Sequence, residues 1–330
     1  MQKTIITGLI LMLILGSCKK NVSQNSEPQK EESSMETPPE ETKPFFKLSL
    51  AQWSLHKMIQ AGEMSPIDFA KKADELGFEG IEYVSQLYTD ELKKDPNPQK
   101  AMQILLETLK TKSEEHNIQN LIIMVDGEGD LAVLDEKERN DAVENHKKWV
   151  DAAQFLGCHS IRVNLFGTND PKQWIDVATD GLGKLSDYAA TKGVNVIVEN
   201  HGYLSSNASL LVEVMKKVNK PNCGTLPDFG NFCLEREGGA RWEAKCIKEY
   251  PKYQGVQEMM GYAKAVSAKS YDFDTEGNET TIDYKKMLDI IKKSGYDGFI
   301  GVEYEGERLN EIEGITATRD LLISAAKQLN

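Results

Sequence analysis

The sequence predicts a closed (β/α)8 barrel, the TIM-barrel form of the α/β class, over residues 45–330. Three observations predict it. Eight strand-like runs alternate with helix-like runs, the connections between them are short, and the segment has the length of one barrel domain. A doubly wound open sheet is the alternative. It expects a Gly-x-Gly-x-x-Gly after its first strand, and no such loop follows Leu55.

The units follow in order. "FKLSLAQWSL" (46–55) reads as the first strand. Its helix is announced by Ser65 as N-cap, Pro66 at the first helical position and Gly77 as stop. "FEGIEYVS" (78–85) is the second strand, and a periodic helix spans roughly 98–116. "IQNLIIMVDG" (118–127) precedes a helix ending near Gly157, and "HSIRVNLFG" (159–167) one ending at Gly193. The fifth strand lies in "GVNVIVENHG" (193–202), followed by the helix "SSNASLLVEVMKKVN". "CGTLPDFGNF" (223–232), "AVSAKSYDF" (265–273) and "GFIGVEYEG" (298–306) are the last three strands. "DYKKMLDIIKKSG" and "ITATRDLLISAAKQL" are the last two helices.

A buried strand that runs into Glu199, Asn200 and His201 needs something for its charge to face. In a barrel the C-terminal strand ends converge on one rim. Glu199, Asp228 and Glu303 each lie on or just past an apolar strand. Three like charges brought together repel unless a cation or protons intervene. A divalent ion, Mn2+, Mg2+, Co2+ or Zn2+, is one solution. Neutralisation by Arg162 and Lys269 is the other. Strand alternation puts Glu199 with His201, Arg162 with Asn164, and Ser267 with Lys269 on common faces. Glu82, Trp53 and His56 fall at the ends of the first two strands and complete the expected rim. His116, His146 and His159 fall in helical or strand-entry positions and read as structural.

Before the barrel, residues 1–18 place a lysine, an apolar run and "LGSC" in the order of a signal peptide. Cys18 at the cleavage point resembles the lipobox of bacterial lipoproteins, so an exported, membrane-anchored protein of the periplasm or outer membrane is expected. Residues 19–44 are rich in Ser, Glu and Pro and read as a solvated tether. The formal charge of −13, from 39 basic and 52 acidic residues, argues against a nucleic-acid partner. Cys158 and Cys223 sit in strand-like runs as small apolar groups, while Cys233 and Cys246 flank a polar insertion and are placed to close a loop. Residues 233–262 are expected to form a lid or a subunit contact in a homo-oligomer.

The pieces "FEGIEY", "VIVENHG", "LPDFGNF", "AVSAKSYDF" and "GFIGVEYEG" together resemble the sugar phosphate isomerase/epimerase family of xylose isomerase-like barrels, over about the whole of 46–330. The resemblance implies one divalent metal held by Glu199, Asp228 and Glu303. It also implies that Glu199 and Glu303 serve as acid/base pair, with Lys269 and Arg162 supporting the developing oxyanion. The chain departs from the family pattern at Ser267, where a histidine is usual, and at Asn231, where many members have another. No phosphate-cradling glycine loop is visible, so a non-phosphorylated sugar or keto-sugar is the expected substrate. Isomerisation and epimerisation lead; elimination from a 3-keto-glycoside and a silent carbohydrate-binding lipoprotein are the rivals. The same fold serves DNA-repair endonucleases, but five histidines are too few for their zinc clusters.

Overall fold

The computed structural model describes residues 43–329 apart from position 243. Residues 1–42, with Cys18 and all but the end of the tether, lie outside the described residues. Eight parallel strands surround the core: β1 Lys47–Ala51, β2 Gly80–Val84, β3 Gln119–Val125, β4 Ser160–Val163, β5 Asn195–Glu199, β6 Cys223–Leu226, β9 Val266–Ser270 and β10 Phe299–Tyr304. Two short strands, β7 Cys233–Arg236 and β8 Cys246–Glu249, form a separate antiparallel hairpin between β6 and β9.

The strand order β6-β5-β4-β3-β2-β1-β10-β9 runs in sequence around the sheet, apart from the hairpin. Two isolated parallel bridges, Thr225 with Ala263 and Asp228 with Ser267, join its ends. At this seam Ser267 N donates to Pro227 O at 2.9 Å and Phe229 N to Ser267 O at 3.1 Å. The barrel therefore closes at two residues expected at the site.

Outward-facing strand residues such as Leu50, Ile81, Ile161, Val196 and Val302 are fully buried against the helices. Each such side chain contributes about 1.5–3 kcal/mol relative to exposure. Helix starts follow the expected chemistry. Ser65 accepts from Ile67 N, and Asn97, Asp135, Asp170, Asn207, Asp283 and Asn310 each accept from a backbone N–H of the next turn. The helix after β3 stops at Gly157, whose φ of +79° suits a residue without Cβ.

The first strand is shorter than expected. It stops at Ala51, and Gln52–Leu55 turn into a 3-10 helix followed by a short helix, His56–Gln60. The sixth also ends early, so Asp228 and Asn231 sit on the loop beyond it. The insertion is less irregular than the sequence suggests. It holds the hairpin, a helix Lys252–Met259, and a disulfide between Cys233 and Cys246. Cys158 and Cys223 are free and buried, as expected. Among the described residues no helix is long and apolar enough to cross a membrane.

Candidate metal centre and active site

Glu199 ends β5, Asp228 follows β6 and Glu303 lies near the end of β10, all three inside the barrel mouth. One carboxylate oxygen from each lies within 4.8 Å of the others, and all three side chains are buried. The loop carrying Asp228 is fixed from several directions. Asn200, fully buried, accepts from Asp228 N at 2.7 Å and donates to Asp228 O at 3.0 Å and Asn231 O at 3.1 Å. Phe229 and Phe232 are fully buried beneath the loop. Gly230 permits its close approach to β9, since a Cβ there would come within 2.8 Å of Lys269 Cγ. Asp228 Oδ1 accepts from the N–H groups of Gly230 and Asn231, leaving Oδ2 toward the centre.

Ser267 occupies the remaining side. Its hydroxyl lies 2.6 Å from Asp228 Oδ2 and 3.1 Å from Glu303 Oε2, between the two acids. Asn231 Nδ2 donates to Glu199 Oε1 at 2.9 Å. Two buried cations flank the acids. Arg162 Nε lies 2.9 Å from Glu199 Oε2, and its Nη1 lies 3.0 Å from Asp126 Oδ1. Lys269 Nζ is 3.2 Å from Glu303 Oε2 and 3.0 Å from Glu305 Oε2. These cations neutralise part of the charge, and the three carboxylate oxygens still converge.

The balance is uneven among the acids. Burial pushes Glu303 up to about 8, and Lys269 only partly offsets it. Burial likewise raises Asp228 to about 6. Glu199 ends below its ordinary value, because His201, Arg162 and Lys269 outweigh burial. Burial holds His201 itself below its usual range, so the permanent charges of Arg162 and Lys269 are the ones that keep Glu199 ionised. Five carboxylates, Glu199, Asp228, Glu303, Glu305 and Asp126, face two permanent cations in this mouth. A divalent ion fits that donor set: hard oxygens, close together, with negative charge in excess.

The remaining expected residues divide. Trp53, Arg162, Asn164, His201, Asn231 and Glu303 line one cavity of about 620 Å³. His201 Nδ1 lies 2.7 Å from Asn164 Oδ1, and Asn164 Nδ2 donates to Asp126 Oδ1 at 2.6 Å. His56 is not brought to the cavity wall. The 3-10 turn carries it behind Trp53, where the rings stack at 4.3 Å and its Nδ1 lies 3.6 Å from Glu311. Glu82 also misses the rim. Its backbone pairs in register with Ala51, and its side chain fills the space left by Gly301, where a Cβ would lie 2.4 Å from its Oε1. Ser49 donates to Glu82 Oε1 at 2.7 Å, Oε2 has no partner, and burial pushes the carboxyl up to about 7. His116 and His159 make local contacts to Asp74 and Ser160. His146 is buried with Nδ1 2.7 Å from Ala142 O, and also edges the cavity.

The sequence reading missed Asp126 and Glu305. Asp126 directly follows the buried run "LIIMV", the same signal that marks Glu199, and Glu305 lies two residues past Glu303, just beyond the end of the strand.

Comparison with known proteins agrees with this architecture. The family described as xylose isomerase-like TIM barrel matches residues 70–325. A curated relative, inosose dehydratase of Geobacillus thermodenitrificans, is 25% identical over 146 residues, 41% of this chain and 48% of that protein. The chain therefore spans about half the length of this relative. A crystal structure of the IOLI protein with a bound zinc atom superposes with a TM-score of 0.62 at 17% identity, over 86% of this chain and 99% of that one. The 3-keto-D-glucoside 4-epimerase of E. coli gives 0.63 at 12% identity, over 84% and 99%. At such identities the structural likeness establishes the fold. The chain belongs to the xylose isomerase-like TIM barrel family.

Proposed function

We propose that this protein is a metal-assisted sugar isomerase or epimerase that removes a proton next to the carbonyl of a non-phosphorylated sugar or keto-sugar. The observation that carries the reading is the convergence of Glu199, Asp228 and Glu303 oxygens within 4.8 Å in a buried mouth. These three residues would hold the ion, with Ser267 beside them. A divalent cation there supplies a Lewis acid for a carbonyl oxygen and its neighbouring hydroxyl.

The chain's own groups supply the rest. Glu199, kept ionised by Arg162 and Lys269, is the base for the carbon-bound proton. Returned by Glu199 to the neighbouring carbon, that proton completes an isomerisation. Delivered instead from the Glu303 side, a proton inverts the original carbon, which is an epimerisation. Lys269 and Arg162 stabilise negative charge as it develops on oxygen. His201, neutral and oriented by Asn164, is placed to meet a sugar hydroxyl.

Elimination shares the first step. The partial likeness to a protein named a dehydratase favours keeping it as the second reading. Mn2+-loaded protein incubated with keto-sugars in D2O separates the two. Deuterium entering the sugar without bond cleavage supports the isomerase or epimerase, and release of water or an aglycone supports the lyase. Absence of both in wild type, or equal exchange in Glu199→Gln, would end the proposal.

The order of charge, apolar run and Cys18 supports export and lipid anchoring. Labelling with palmitate in a bacterial host, lost in Cys18→Ala, tests that reading.

A further inference from the structure

The cavity is larger than the metal centre needs. Its volume of about 620 Å³ lies in the range that encloses a whole drug-sized ligand, whereas a single sugar ring is smaller. Its outer part is built by the hairpin β7–β8, which reaches back over the mouth and contributes Arg236, Arg241 and Trp242. Trp242 is 43% exposed, one of few large apolar side chains so placed among the described residues.

Trp242 is nonetheless held in place. Its ring lies 4.8 Å from the His201 ring and 5.5 Å, edge-on, from Phe166. Arg241 next to it stacks over Phe166 at 4.6 Å and pairs with Asp130 at 2.9 Å, bracing the hairpin against the loop after β3. Tyr203 donates to Gly239 O and Ala240 O at the hairpin tip, and the Cys233–Cys246 disulfide closes its base. An indole anchored by its neighbours, open to a polar cavity and adjoining His201, is a stacking platform for a ring. The path from it to the acids is continuous: Trp242 to His201, Asn164, Asp126, Arg162 and Glu199.

We propose that the hairpin forms a second-ring subsite, so that the substrate is a two-ring glycoside whose outer ring stacks on Trp242. This rests on the sugar-carbonyl reading above and names its substrate class.

The test measures binding to the Mn2+-loaded protein by calorimetry with three probes: the methyl and phenyl β-D-glucopyranosides oxidised to a ketone at carbon 3, and cellobiose oxidised likewise. The expected result is that at least one two-ring probe binds about tenfold or more tighter than the methyl probe. Trp242→Ala should bring that ratio below about threefold while methyl-probe affinity stays within about twofold, and Trp242→Phe should keep most of the preference. Whether phenyl or disaccharide is preferred identifies the outer ring as aromatic or sugar, and either supports the proposal. Equal binding of all three probes, or a preference unchanged in Trp242→Ala, overturns this inference alone. Failure of every probe to bind overturns it together with the sugar-carbonyl reading.

Discussion

Metal uptake at this centre should be strongly pH-dependent, because two of the three ligands hold protons that the ion must displace. Glu199 is already ionised, whereas Asp228 and Glu303 are raised to about 6 and about 8. Raised values mean that the free centre is protonated below them, so affinity rises with pH up to about 8 and then levels. At pH 7 binding should release about one proton, mostly from Glu303. Between pH 8 and pH 6 the apparent affinity for Mn2+ should fall about a hundredfold, equivalent to about 2.7 kcal/mol. Below pH 6 the second proton doubles the slope. Calorimetric titration of metal-free protein with Mn2+, repeated in buffers of different ionisation enthalpy, gives both the affinity and the proton count. An affinity that changes less than about threefold between pH 6 and 8, with no proton released, would refute the reasoning.

Other outcomes follow from single features. Glu82→Gln should stabilise the metal-free protein by about 3 kcal/mol more at pH 8 than near pH 4, as urea unfolding would show. The buried carboxyl raised to about 7 costs stability as pH climbs from the unfolded value through the folded one, whereas the amide's unmatched N–H adds a cost that is the same at both pH values. Lys269→Met should lower kcat about 10²–10³-fold with KM within about threefold, since its charge faces Glu303 and Glu305 where an oxyanion would form. Replacing Cys233 and Cys246 together by serine should expose residues 237–245 to limited proteolysis while the barrel stays intact, because the bridge closes only the hairpin.

The barrel was legible because each strand is a short apolar run punctuated by a helix cap or a glycine. The site was legible for a related reason. A carboxylate at the end of a buried strand has no local explanation, and Glu199, Asp228 and Glu303 share that property. The misplaced residues mark where a one-dimensional pattern fails. His56 follows a first strand expected to run to Leu55, which the 3-10 turn at Gln52–Leu55 cuts short. Glu82 lies on the correct face, but its side chain turns inward to Ser49 and Gly301, a direction that no single strand reveals. The hairpin escaped notice because "CLER" and "CIKE" are short and largely polar, and their pairing depends on a disulfide that spacing alone does not establish. The seam between β6 and β9 rests on isolated bridges, which leave no periodic trace.

The account stands most directly on metal content. Protein purified without chelator, loaded with Mn2+ and dialysed, should retain about one ion per chain by elemental analysis. Glu199→Gln, Asp228→Asn and Glu303→Gln should each lose it while remaining folded by circular dichroism. Wild-type protein that retains no ion, or all three variants retaining a full equivalent, would contradict the shared-cation centre.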